Sequence, residues 1–180
     1  YVARGGEQWF GPITPKGARF MEIHVMADPG AVQFTDEQFW ERSYHGETEG
    51  AFACDDPDLN QIWTIGVETY RACTEDAIID NPTRERGQWT GDAVSAGLHN
   101  ASVAYSDLRL FRRALEQAAL CARDDGLVSG MSTGGDIFLS TYAIQWFSGV
   151  VDYYRLTGDR ELLEQLLPAA RANFRALMAA

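Results

Sequence analysis

The stretch Asp55–Tyr70, "DDPDLNQIWTIGVETY", marks the point at which the chain takes up helical periodicity. Asp56 precedes Pro57, and an Asp cap followed by a proline in the first turn is typical of a helix start. Apolar side chains then recur at helical spacing and predict one buried face, made of Leu59, Ile62, Trp63, Gly66, Val67 and Tyr70. The stretch therefore predicts a first helix that begins near residue 56.

Residues 1–50 have a different pattern. The string "ARFMEIHVMA" at 18–27 alternates in part and is rich in β-formers, and "GAVQFTD" at 30–36 predicts a second short strand. Glycine and proline separate these strings, as is typical of turns. We interpret residues 1–50 as the end of a β-domain followed by a linker.

After the first helix, helical patterns continue to the end of the chain. A second helix is predicted from Thr90 through "DAVSAGLHNASVAY", and a third after Ser106-Asp107, with an apolar stripe of Leu108, Phe111, Leu115, Ala118 and Ala122. No strand signal interrupts the series. Residues 51–180 therefore predict an all-α array of helical hairpins.

The fourth predicted helix, at about 137–157, is apolar on two faces, which carry Leu139, Tyr142, Ala143, Trp146, Phe147, Val150, Val151 and Tyr154. A helix of this kind is expected to pack on both sides. Gly158 is predicted to end it and Asp159 to begin another helix, which Pro168 should break or restart.

The composition is that of a globular protein, with 46% hydrophobic residues and no apolar run that would cross a bilayer. The net charge of −11 argues against nucleic acid as a partner and is compatible with a neutral ligand such as a sugar. Three cysteines without metal-like spacing predict buried free thiols, and three scattered histidines give no reason to expect a metal or a cofactor.

The segment Asp80–Asp92, "DNPTRERGQWTGD", combines three carboxylates, two arginines and a tryptophan in a predicted connection between helices. Cleavage of a glycosidic bond needs a carboxylic acid that protonates the leaving oxygen and a second carboxylate that acts as base or nucleophile. Further carboxylates accept hydrogen bonds from sugar hydroxyls, and an indole offers a flat apolar surface to a sugar ring. On composition alone, an ordinary loop laced with Arg–Asp pairs is an equally open interpretation.

The whole string resembles the signature of bacterial α-L-rhamnosidases of glycoside hydrolase family 78. Two further strings agree in order: "FACDDPDLNQIWTIGVETYRAC" resembles the family's entry into its helical barrel, and "DYYRLTGDRELLEQLLPAARANF" a later hairpin. The resemblance spans about residues 50–178 and implies a mainly α fold, part of an (α/α)6 six-hairpin barrel preceded by a short β segment. Asn81 stands where many members carry a cysteine, and the Pro-to-Arg spacing is shorter, which leaves the exact substrate open.

The resemblance implies a role for each residue that matches the signature. Glu85 matches the general acid, Asp80 and Asp92 match carboxylates that hold sugar hydroxyls, and Trp89 matches an aromatic pocket wall. Arg84 is expected to orient one of the acids, and the arginines of the segment to point away or to pair with the two aspartates. Because Asp92 would lie in the first turn of a helix, we expect the helix terminus to favour its ionised form.

Two residues ahead of and within the fourth helix are secondary candidates for substrate contacts. Asp136, in "STGGDIF", lies where glycine-rich barrel loops reach the pocket in the resembling family. Trp146 has the spacing of a core residue and is kept as a candidate pocket wall.

By resemblance, the activity is inverting hydrolysis of terminal α-L-rhamnosides, with a rhamnose-containing carbohydrate as the partner and no nucleic acid, membrane, metal or cofactor. The family's general base comes from later in the barrel, beyond residue 180, so no base is named. Two alternatives stay open: another barrel glycosidase with a different sugar, and a non-catalytic carbohydrate-binding or scaffold module. We also expect these 180 residues to be a partial ring, with one apolar side of the fourth helix uncovered.

Overall fold

The computed structural model describes residues 1–179, and in that range the chain is mainly α-helical, as predicted. Its α-helices are Pro57–Ala72 (α1), Leu98–Ala104 (α2), Arg109–Leu120 (α3), Ser140–Thr157 (α4) and Arg160–Ala179 (α5). A π-helical segment, Asp92–Gly97, leads directly into α2. Two short antiparallel strands, Gln88–Trp89 (β1) and Met131–Ser132 (β2), complete the regular structure.

The chain divides into two compact units, Tyr1–Arg42 and Ser43–Ala180. The helical unit begins earlier than the predicted boundary at residue 50, because backbone N–H groups near its start bond to the helical region. Tyr44 donates to the carbonyl of Thr74 at 2.8 Å, and Glu49 donates to the carbonyl of Ala104 at 2.9 Å.

The first unit differs from the sequence prediction. Residues 1–42 contain no strand, so the two strands predicted at 18–27 and 30–36 are wrong for this structure. A strand is stabilised by backbone hydrogen bonds to a neighbouring strand, and β-propensity alone does not supply a partner. Within this unit the backbone bond from Ala31 N–H to the Asp28 carbonyl, at 3.0 Å, closes a turn instead. That these residues belong to the end of a β-domain stays a prediction.

Helix α1 begins as predicted. The Asp56 side chain accepts hydrogen bonds from the backbone N–H groups of Asp58 at 2.9 Å and Leu59 at 3.4 Å, and Pro57 is the first helical residue. The predicted apolar face is only partly buried. Val67 and Tyr70 lie in the core and Trp63 and Gly66 are half-buried, whereas Leu59 and Ile62 are exposed.

The core lies between α1, α2, α3, α4 and α5, and its largest fully buried side chains include Trp146 and Phe111. Trp146 of α4 donates a hydrogen bond from its indole Nε1 to the carbonyl of Leu115 at 3.0 Å. Because a buried indole N–H is costly to leave unpaired, this bond fixes α4 against α3.

Helices α4 and α5 form a hairpin that is closed as the sequence predicts. Gly158 ends α4 in the left-handed region (φ 71°) and donates its N–H to the carbonyl of Tyr154 at 2.8 Å. Asp159 then accepts the N–H of Leu162 at 3.0 Å. Pro168, however, lies inside an unbroken α5, so the predicted break is wrong. The buried side chains Leu162, Leu166, Ala170 and Asn173 hold the helix to its neighbours on both sides of the proline.

The thiols are free, as predicted, but Cys54 is exposed and Cys73 and Cys121 are only half-buried. The prediction that they are buried is therefore wrong, because Cys54 precedes α1 and the other two stand at helix ends. Along residues 1–179, none of the helices combines the length and apolar character that a bilayer crossing requires.

Helix α4 packs through one face and leaves the other uncovered. Ala143, Trp146 and Val150 are buried, whereas Phe147, which flanks this buried face, and Ile144, further around the helix, keep 41% and 54% of their surface exposed. Tyr154 continues this exposed stripe two turns later. Apolar stripes of this kind favour association.

We expect the isolated 180-residue chain to self-associate through this stripe. Phe147→Glu should shift sedimentation-velocity profiles towards monomer, because it puts a charge into the apolar stripe. Ser148→Glu, an exposed position one residue along α4, is the matched control for added charge. Equal effects of the two variants would show that the stripe is not the contact surface.

A buried histidine lies at the start of the helical unit. His45 is 7% exposed, its Nε2 lies 2.9 Å from the Tyr70 hydroxyl, and its ring stacks on Tyr105 at a centroid distance of 4.0 Å. Burial lowers the pKa of His45, and the negative charges of Asp107 and Glu49 oppose that effect only in part.

This burial predicts a pH-dependent stability. Because the folded-state pKa of His45 is below the unfolded value of about 6.5, the unfolded chain binds more protons under mildly acidic conditions. The free energy of unfolding should therefore be fully present above about pH 6.5 and fall as the pH decreases through the folded-state pKa, by at most about 1.4 kcal/mol per pH unit. Urea titrations of wild type and His45→Gln should differ in this slope, whereas His24→Gln, at an exposed histidine, should keep it. An unchanged slope in His45→Gln would contradict the assignment.

Candidate active site

Asp80 closes the loop that carries the acidic segment. It follows the buried pair Ile78-Ile79, donates its backbone N–H to the carbonyl of Gly87 at 3.0 Å, and accepts the N–H of Gly87 on Oδ1 at 2.9 Å. Inside the loop, the Asn81 side-chain oxygen accepts the N–H groups of Thr83 at 3.1 Å and Arg84 at 2.7 Å, which is a local turn typical of asparagine. The Asn81 amide also donates to Asp80 Oδ2.

The residues after this loop are attached to the connection before α4. Strand β1 pairs with β2 so that Gln88 lies opposite Ser132 and Trp89 opposite Met131. Thr90 extends the attachment by donating its N–H to the Gly130 carbonyl at 2.9 Å and its hydroxyl to the Ser129 carbonyl at 2.7 Å. The segment is thus a connection between helices, as predicted, and two of its residues form a strand that periodicity did not indicate.

Glu85 is held by two neighbours of the same segment. Its Oε2 accepts a hydrogen bond from the indole Nε1 of Trp89 at 2.7 Å, and its Oε1 lies 2.8 Å from Nη2 of Arg84. Arg84 is 78% exposed and the Glu85 side chain 38% exposed, so the Arg84–Glu85 pair faces solvent. Such exposed ion pairs contribute about 0–1 kcal/mol. The indole is the better-defined contact of this carboxylate.

Asp92 interacts electrostatically with Asp80 and Glu85, the other two acids of the segment. Burial raises the pKa of Asp92, and the negative charges of Asp80 and Glu85 raise it further. Asp92 therefore lies within electrostatic reach of both Asp80 and Glu85, and we call Asp80, Glu85 and Asp92 the acidic cluster. Burial and the two neighbouring carboxylates thus oppose the effect of the helix terminus, which was expected to favour the ionised form of Asp92.

Tyr142 of α4 borders the acidic cluster, and the sequence analysis missed this role. Its ring meets Trp89 edge to face, with a centroid distance of 6.1 Å and an interplanar angle of 81°. Burial raises the pKa of the Tyr142 hydroxyl, followed by the charges of Asp92 and Glu85. The sequence showed Tyr142 only as part of an apolar pattern, so nothing in that pattern singled it out.

The two secondary candidates do not join the cluster. Trp146 is fully buried and bonds to the Leu115 carbonyl, so it is a core residue and its assignment as a pocket wall is wrong. It lies one helical turn from Tyr142, and Tyr142 is the residue of α4 that contacts Trp89. Asp136 is exposed in the connection before α4, and its carboxylate makes no hydrogen bond or ion pair within residues 1–179. Its role as a substrate contact stays a prediction.

The two arginines of the segment bind different carboxylates. Arg84 pairs with Glu85, and Arg86 donates from Nη2 to both carboxylate oxygens of Glu75, at 3.0 and 2.8 Å. Of the two expected arrangements, Arg86 thus follows the one in which an arginine points away from the aspartates, and Asp80 is held by backbone N–H and amide groups of the loop. Glu75 was also missed, since a single acid after a helix carries no sequence signal.

The side chains described here include no group of three or more His, Cys, Asp or Glu residues in an arrangement that could hold a metal ion. Chemically, the acidic cluster together with Trp89 and Tyr142 offers carboxylates, an indole and a phenol. These groups can accept hydrogen bonds, present apolar ring faces and donate a proton.

The close approach of α4 at Gly91 yields a test of this geometry. A Cβ at Gly91 would lie 2.5 Å from Tyr142 Cε1 and 2.6 Å from Gln145 Oε1. Gly91→Ala should therefore displace Tyr142 from Trp89 and change the near-UV circular dichroism and tryptophan fluorescence. Gly66→Ala is the matched control within α1, where a Cβ meets nothing within 4 Å, and it should stabilise the chain by about 0.5–1 kcal/mol. Unchanged aromatic spectra in Gly91→Ala would contradict the packing.

This chain is similar to a known protein family and to solved structures. The family model of the bacterial alpha-L-rhamnosidase six-hairpin glycosidase domain matches residues 47–179. A rhamnosidase from Klebsiella oxytoca with rhamnose bound has a TM-score of 0.68 and 27% sequence identity, over 74% of this chain and 27% of that one. A GH78 family rhamnosidase of Bacillus sp. GL1 has a TM-score of 0.70 and 23% identity, over 74% of this chain and 14% of that one, and supports the fold. The comparison with curated proteins gives no match.

The chain thus spans about a quarter of the first solved structure and about a seventh of the second. The predicted partial six-hairpin fold is confirmed by these matches. Because the family model covers well over half of its residues, the chain belongs to the bacterial α-L-rhamnosidase six-hairpin glycosidase domain family.

Proposed function

We propose that the protein containing this chain is a glycoside hydrolase that cleaves terminal α-L-rhamnosides, with Glu85 as the general acid. The observation that carries the proposal is the hydrogen bond from Trp89 to Glu85 beside Asp80 and Asp92. Family membership and the solved rhamnosidase that holds rhamnose support the substrate class.

The contacts of Glu85 suit proton donation to a leaving oxygen. The Trp89 indole engages Oε2, so the transferable proton belongs on Oε1, the oxygen that faces Arg84. Because Arg84 is exposed, its guanidinium can leave Oε1 at little cost and orient the acid from the side. Protonation of the leaving oxygen is the step that any glycosidase acid must perform.

The remaining groups of the cluster suit sugar binding. Asp80 and Asp92 accept hydrogen bonds from sugar hydroxyls, and the charge of a carboxylate makes such bonds strong. Trp89 presents an aromatic wall, and Tyr142 supports it edge to face while adding a hydroxyl near Asp92 and Glu85. Inversion requires a general base that activates water on the opposite face of the ring. We assign no base among residues 1–179.

Two other functions remain as outcomes of the same experiment. Full-length protein that hydrolyses a different aryl glycoside would be a barrel glycosidase of another specificity. Full-length protein that binds rhamnose without turnover would be a carbohydrate-binding module.

Glu85→Gln tests the general acid. In the full-length protein it should lower kcat on a rhamnose-containing disaccharide by about 10²–10⁴-fold, because the carboxamide cannot donate a proton to the leaving oxygen. Sugar binding, measured by calorimetry, should largely survive. The loss should shrink for aryl α-L-rhamnosides with acidic leaving groups, which need little protonation.

The matched control is Glu164→Gln, which makes the same chemical change at a surface ion pair with Arg160. It should leave kcat unchanged. Near-normal turnover of the disaccharide by Glu85→Gln would remove Glu85 from its role.

A further inference from the structure

Arg86 directly follows Glu85 in the chain, yet its guanidinium is held by a different residue. Nη2 of Arg86 lies 3.0 Å from Oε1 and 2.8 Å from Oε2 of Glu75. The backbone of Arg86 is in the left-handed region, with φ at 50°, which is uncommon for a residue other than glycine. The unfavourable backbone conformation thus occurs at the residue between Glu85 and Gly87, and Gly87 is hydrogen-bonded to Asp80.

The surroundings of Glu75 stabilise its ion pair with Arg86. Its side chain is only 5% exposed and that of Arg86 24% exposed, so solvent competes weakly for the pair. Glu75 lies in a tight turn after α1, where its N–H donates to the Ala77 carbonyl at 3.0 Å and Thr74 bridges to Ile78. A carboxylate anchored in this way fixes the position of the cation that it binds.

The acidic cluster would attract the same cation if Arg86 were released. Asp92 is faced by the carboxylates of Asp80 and Glu85 from the loop, by the Tyr142 hydroxyl from α4, and by the Cys73 thiol from the end of α1. Arg84, on the same loop, is already engaged with Glu85. An opposite charge within about 4–6 Å of a carboxyl group lowers its pKa by about 1–3. A second guanidinium in the cluster, in addition to that of Arg84, would therefore favour loss of the proton that a general acid must carry.

We propose that Glu75 is a positioning residue that holds the Arg86 guanidinium out of the acidic cluster. Glu75 then sets the charge balance of Asp80, Glu85 and Asp92 without contacting the substrate. The catalytic consequence rests on the proposed function, whereas the electrostatic one is a property of the fold alone.

The test is to remove the anchor and follow Asp92. In Glu75→Gln, the carboxyl ¹³C titration of Asp92 in Asp-labelled protein should move to lower pH by at least about one pH unit. The alkaline limb of the kcat/KM profile on an aryl α-L-rhamnoside should move in the same direction. The double variant Glu75→Gln/Arg86→Gln, which also removes the released cation, should return both midpoints towards wild type.

Further variants separate positioning from mere structural support. Glu75→Asp keeps the charge but shortens the side chain, so it should shift both midpoints by less than Glu75→Gln does, and it replaces Glu75→Gln if that variant fails to fold. Glu116→Gln, which breaks an Arg–Glu pair on α3, should leave both midpoints unchanged. Loss of stability in Glu75→Gln without movement of either midpoint, or an equal shift in the single and double variants, would overturn the proposal.

The two proposals fail separately. If the wild-type full-length protein does not hydrolyse α-L-rhamnosides, the proposed function is wrong, and the Asp92 titration still decides the role of Glu75.

Discussion

The paired hydrogen bonds between Asp80 and Gly87 set the geometry on which the site depends. They close a loop in which Glu85 and Arg86 are consecutive, so the two side chains must leave the backbone in different directions. Glu85 turns towards Trp89, while Arg86 turns to Glu75 and takes a left-handed backbone conformation to do so. Of the two arginines that flank Glu85 in the chain, Arg84 pairs with Glu85 and Arg86 pairs with Glu75.

Charge separation is the second constraint on this segment. Burial raises the pKa of Asp92, and the negative charges of Asp80 and Glu85 raise it further. Of the two arginines within the same thirteen residues, Arg84 is exposed and pairs with Glu85, and Arg86 is bound to Glu75 outside the cluster. The site therefore keeps a concentrated negative charge that the sequence, with its alternating acids and arginines, does not make evident.

Local signals explain which parts of the fold could be predicted from the sequence. The Asp56 cap, the Gly158 stop and the Asp159 restart act within one helical turn, and each is found where its residue type indicates. The strands expected in residues 1–42 and the break at Pro168 were wrong because partners in space decide both. In the site, the motif residues could be identified from their string. Tyr142 and Glu75 could not, because each reaches the segment through tertiary packing.

Helix α4 joins the core to the site through residues four positions apart. Trp146 is fully buried and its indole is fixed to the Leu115 carbonyl, which determines the rotation of the helix at that turn. Side chains at i and i+4 lie on the same face of a helix, so this rotation directs Tyr142 to Trp89. Gly91 then admits the Tyr142 ring where a larger residue would collide with it. The tryptophan that sequence reasoning considered for the pocket thus belongs to the core, and it orients the tyrosine that borders the acids.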